Sequence, residues 1–152
     1  MKITKTIFAA CAGGLLLANI ARADDSALSA PVRSVYDNYL KIQAALAGDS
    51  TQDIAKDAGA IVKLVNGDAK VLPPEVAAEA RDLAKATDLS SARAAFKPLS
   101  NSLIQFLADH NATNVYVHVF CPMANADWLQ ADRDIKNPYL GRAMSGCGEI
   151  KN

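Results

Sequence analysis

This chain of 152 residues is short of the residues that most reactions need. It has two histidines, one tryptophan and three cysteines, and aromatic residues make up 6% of it. No Ser-His-Asp pattern and no phosphate-cradling glycine loop is present, which leaves acyl transfer and nucleotide chemistry without a foothold. The absence of Cys-x-x-Cys excludes thioredoxin-like redox catalysis, and that of Cys-x-x-Cys-His excludes covalent haem. Sixteen basic residues balance sixteen acidic ones, so no basic excess is available for nucleic acid or an anionic bilayer. No repeat recurs at a fixed period. The chain reads as something other than an enzyme.

What is present begins with an export signal. Lys2 and Lys5 form a basic start, Ile7 to Ile20 is apolar, and Ala21-Arg22-Ala23 is a cleavage site, which places the mature terminus after Ala23. Cys11 lies ahead of the main apolar run, the wrong side for a lipidated cysteine. Residues 24–152 then form one domain with no later run long enough to span a bilayer. Removing Lys2, Lys5 and Arg22 from the 16 basic residues, and none of the 16 acidic ones, leaves a net charge of −3. Two cysteines remain, Cys121 and Cys147, in an oxidising compartment.

Residues 24–110 are alanine-rich and helical in period. Val32, Val35, Tyr36, Tyr39, Ile42 and Leu46 share one helix face, with Pro31 in the first turn and Gly48 as a left-handed end. A second helix opens at Ser50, with Asp53 in a short capping box, and carries Ile54, Ala58, Ile61 and Val65. Pro73-Pro74-Glu75 starts a third, with Val76, Ala80, Leu83 and Thr87 on one face. Asp88 or Ser90 caps a fourth, whose stripe is Leu89, Ala92, Phe96, Leu99, Leu103, Phe106 and His110, with a kink or break expected at Pro98. The fold class is therefore mainly α: an up-down-up-down antiparallel four-helix bundle, then a short extended segment and an irregular Cys/Met-rich C-terminal segment over 111–152.

That segment carries the chemistry. Val115, Val117 and Val119 alternate with Tyr116, His118 and Phe120 as in a short strand. Cys121-Pro122-Met123 follows. An extended backbone before proline would point Cys121 and Met123 the same way. Met144 and Cys147, three apart, would share one face of a helical turn. Two readings stay open. Two thiolates and two thioethers suit a soft ion such as copper(I) or silver, whereas zinc would want further Cys or His ligands. Alternatively Cys121 and Cys147 form a disulfide, stabilising by about 3–4 kcal/mol, with the methionines as gap fillers. His118 joins a metal site only if the chain bends near Pro122. His110 belongs to a helix end, where it meets the last carbonyls.

From Cys121 to Gly148 the residues Cys121, Pro122, Met123, Ala124, then Trp128 and Leu129, then Ile135, Asn137, Pro138, Tyr139, Gly141, Met144, Cys147 and Gly148 stand in order. In this pattern the chain resembles an exported bacterial domain family of poorly defined function, also found fused to adaptor (membrane-fusion) subunits of heavy-metal efflux pumps. The resemblance implies a periplasmic role near copper or silver handling, with an efflux adaptor or another envelope protein as partner. It implies Cys121, Met123, Met144 and Cys147 as ligands, and His118 less directly. The alternative is a docking module whose disulfide is structural.

Overall fold

The computed structural model describes residues 28–151; the expected signal peptide, 1–23, lies outside the described residues. Four helices come first: α1 (Ala30–Ala47), α2 (Ile54–Asn66), α3 (Pro74–Ala84) and α4 (Leu89–Asp109). A three-stranded antiparallel sheet follows, made of β1 (Val117–Cys121), β2 (Ala126–Gln130) and β3 (Glu149–Ile150) in the order β2-β1-β3. Consecutive helices pack on one another, and α4 and α1 carry β2. The core is largely the stripes that the helical period defines. Val35, Tyr36, Tyr39, Ile42 and Leu46 on α1, Ala58 and Ile61 on α2, Val76, Ala80 and Leu83 on α3, and Phe96, Leu99 and Leu103 on α4 are all fully buried. Of the described helices, none is long and apolar enough to cross a membrane.

The helix ends differ from expectation. Gly48 ends α1 at φ −84°, and the left-handed position falls on Asp49, at φ 57°. Aspartate tolerates that conformation better than most residues, and here its carboxylate is held. It accepts from Arg93 Nη2 at 2.6 Å and from the Arg142 N–H at 3.1 Å. Ser50 does not open α2. Its hydroxyl accepts from the Gln52 N–H at 3.1 Å in a local turn, and the helix starts at Ile54 after a left-handed Asp53 that makes no side-chain cap. Among the described helices the capping box belongs to α4. Asp88 Oδ1 accepts the Ser91 N–H at 2.8 Å and Ser91 Oγ accepts the Asp88 N–H at 3.3 Å. Pro98 does not break α4, which runs on through it to Asp109. Buried Phe96 and Leu99 on either side hold the helix against the loss of one backbone bond.

The stretch expected to be irregular contains two strands. The chain reverses over Pro122–Asn125, where the Asn125 N–H donates to Pro122 O at 3.2 Å and Asn125 sits at φ 44°. β2 then returns along β1, pairing Val119 with Trp128 and Cys121 with Ala126. Both faces of β2 are covered, so its burial shows no two-residue alternation, and neither does its sequence.

Two expectations follow. Replacing Pro98 with Ala restores a helix donor, and urea unfolding should show a gain of about 1–3 kcal/mol. Arg93, and then the Arg142 N–H, hold the Asp49 carboxyl below the usual carboxylate range. A lowered native value stabilises above the ordinary pKa, near ~3.9, and that stabilisation is lost as pH falls through the native value. The stability difference between the wild type and Asp49→Asn should therefore be full at pH 7 and shrink below about pH 4.

Candidate functional site

β1 ends at Cys121, which is fully buried. Its partner arrives from the far end of the chain. β3 pairs with β1 through Val119–Ile150 and Phe120–Glu149, and this register lays the preceding residues beside Cys121. Cys147 Sγ lies 2.7 Å from Cys121 Sγ, with both side chains as thiols. The approach needs a glycine at 148. A Cβ there would sit 2.6 Å from Val119 Cγ1 and 2.9 Å from Trp128 Cη2.

Asn137 fixes the return. It is fully buried. Its Nδ2 donates to Cys147 O at 2.7 Å, its Oδ1 accepts the Tyr139 and Leu140 N–H groups at 2.8 and 2.9 Å, and its own N–H donates to Ser145 O at 2.8 Å. The short helical turn Gly141–Met144 follows, and the Cys147 N–H donates to Met144 O at 3.0 Å. Gly141 takes φ 60°, and a side chain there would run into the Asp49 carboxylate and the Arg93 guanidinium. The Asp49–Arg93 pair thus packs directly under the turn that leads to Cys147.

The two sulfurs are not equivalent. Burial pushes the Cys121 thiol up. Hydrogen bonds from Cys147, the Ala124 N–H, the Asn137 side chain and the Met123 N–H outweigh it, so this thiol sits below its ordinary range. Cys147 moves the other way, because its bond to Cys121, and then burial, favour the protonated form. The two shifts run in opposite directions, so of the pair Cys121 gives up its proton the more readily.

Both methionines of this segment lie at the surface. Pro122 starts a turn rather than an extended segment, so the backbone of Met123 supplies an N–H toward the sulfurs while its side chain is 65% exposed. Met144 is 41% exposed. His118 is on the other face of β1. It pairs across to Leu129, and its Nε2 lies 2.7 Å from Asp127 Oδ1. The strand alternation that separates His118 from Cys121 holds to the end of β1, because the bend comes only after it. His110 Nδ1 meets Phe106 O at 2.8 Å and its ring stacks on Phe106, the helix-end role expected of it. Among the described residues no group of three or more His, Cys, Asp and Glu gathers as metal ligands. What gathers there is one pair of sulfurs, a soft donor type, short of the four ligands of a tetrahedral zinc site.

A second set of residues ties the site to the helices. Tyr39 Oη and Ser100 Oγ are 2.8 Å apart, and Tyr39 Oη accepts the Leu129 N–H at 3.1 Å. Tyr139 Oη donates to Asp127 O at 2.7 Å. Both hydroxyls engage the backbone of β2. Burial raises the Tyr39 and Tyr139 pKa values far above the ordinary phenol range, so both remain neutral hydroxyls. In the sequence these tyrosines carry no mark beyond lying on an apolar face or in a turn.

Asn137→Ala removes three side-chain bonds and leaves buried backbone groups unpartnered. Urea unfolding of the reduced protein should show a loss of about 3 kcal/mol.

No curated protein and no solved structure matches the chain. A family match does exist. It spans the helices from within α1 and stops short of β1, so it does not reach the Cys121–Gly148 pattern. The model of the family described as "Protein of unknown function (DUF3347)" covers residues 35–115, more than half of the chain, and the chain belongs to that family.

Proposed function

We propose that this protein is an exported, periplasmic soft-metal binder that holds copper(I) or silver(I) and acts as a chaperone or buffer linked to heavy-metal efflux, not as an enzyme. Cys121 and Cys147 bind as thiolates, and the Met123 and Met144 thioethers complete the shell. The four helices, as an antiparallel bundle, serve as a rigid frame. His118 stays with Asp127 and takes no part. An efflux adaptor or another envelope protein is the partner.

One observation carries the reading: two sulfurs far apart in sequence lie 2.7 Å apart, in a segment that also exposes two methionines. Copper(I) takes the reduced pair and displaces the remaining thiol proton or protons. Seating an ion between the sulfurs requires moving them apart. The Cys147 side chain is the one with room to turn on its held backbone, since it is only partly buried while Cys121 is fully buried.

The same approach also favours a second reading. A disulfide needs the sulfurs at ~2.05 Å, which a small rotation of Cys147 would reach. In that case the protein is a docking module with a structural cystine, and the partner contact is its function.

An anaerobic competition titration of the reduced mature chain against a coloured copper(I) chelator separates the two. The metal reading expects one equivalent bound tightly, loss of binding in Cys147→Ser, and a weakening of about tenfold in the Met123→Leu/Met144→Leu double variant, the scale on which surrounding groups tune a metal site. Failure to compete, with no free thiol after purification without reductant, would assign the pair to the disulfide.

A further inference from the structure

A groove of about 620 Å³ runs between the first half of α4 and the C-terminal segment. Leu89, Arg93 and Lys97 line it from successive turns of α4, and Ala124, Tyr139 and Leu140 line it from the opposite side. The volume is in the usual range for small-molecule sites, roughly 300–1,000 Å³.

Its chemistry is one-sided. The charged side chains that line it are both cations, and no carboxylate does. Arg93 is already committed: Nη2 pairs with Asp49 at 2.6 Å and Nε donates to Pro138 O at 2.8 Å. Lys97 is not. Its part-buried ammonium donates to Ala124 O at 2.8 Å and lies 5.7 Å from the centre of the Tyr139 ring, with no carboxylate paired to it among the described residues. An ammonium has three donors, and the one bond to Ala124 leaves others for an anion in the groove. A bare phosphate would be poorly served, because the fork of Arg93 that suits it is already in use. The Leu89, Tyr139 and Leu140 side chains instead offer apolar surface.

We propose that this groove is a binding site for a small organic carboxylate, with the carboxylate on Lys97 and an apolar body against Leu89, Tyr139 and Leu140. The site is independent of any metal on the sulfurs, but it shares a wall with them. Lys97 holds the carbonyl of Ala124, and the N–H of that same residue lies 3.5 Å from Cys121 Sγ.

The test is a titration of the 15N-labelled mature chain with benzoate, benzyl alcohol and inorganic phosphate, followed by amide shifts. Benzoate should saturate with shifts centred on Leu89, Ala124 and Leu140. Benzyl alcohol and phosphate should each bind at least about tenfold more weakly, the worth of one charge-assisted hydrogen bond. Lys97→Met keeps the aliphatic stem and should lose about the same factor. Leu89→Glu, which adds an acid at the helix start, provides a second variant and should also weaken benzoate. No saturable shift, equal binding of the alcohol, phosphate as tight as benzoate, or unchanged affinity in a folded variant would overturn the proposal.

Discussion

The buried side chain of Asn137 bonds two pieces of chain that share no hydrophobic stripe. One is the backbone turn at Tyr139 and Leu140; the other is the carbonyl of Cys147. Residues 131–148 have little apolar periodicity and cannot fold by burial alone. An amide with a donor at one end and an acceptor at the other does what a core would otherwise do. It is fully desolvated, so each unmade bond would carry the full cost of a buried orphan group. The position of Cys147 follows from that constraint.

The helices and the sheet meet through hydroxyls as well as through packing. Tyr39 and Tyr139 converge on Ser100, and each bonds the backbone of β2. These groups satisfy the outer edge of a strand that would otherwise present unpaired backbone groups to the helices. Phe96 stacks against Tyr39 and tilts against Tyr139, so the polar junction lies inside an aromatic cluster. The frame therefore fixes the end of β1, and with it Cys121, by packing and hydrogen bonds from the helices.

The helical half was legible because burial on one face leaves a 3.6-residue period, as in Val32 to Leu46 and Phe96 to Phe106. Even Pro98 did not obscure it, since packing outweighs one lost bond. The caps were less legible. Gly48 and Ser50 are the residue types that end and begin helices, yet Asp49 took the left-handed position because Arg93, 44 residues away, holds its carboxylate. β2 was missed because a strand covered on both faces has no alternation to read. At the site, the pairing of Cys121 with Cys147 was the natural expectation for two cysteines. Met123 was expected to point its side chain the same way as Cys121; Pro122 opens a turn instead, so only the Met123 backbone N–H faces the sulfurs and the side chain is exposed. Neither Asn137 nor Lys97 could be singled out: their roles depend on contacts made across the fold.

Trp128 lies beneath Gly148 with its ring near the backbone that carries Cys147, and it is the protein's single tryptophan. An indole emits at shorter wavelength in a dry site than in water. The colour of the native emission thus becomes a built-in gauge of how the segment carrying Cys147 sits on the sheet. The chain reports the seating of that segment without a label, through a ring that its fold keeps dry.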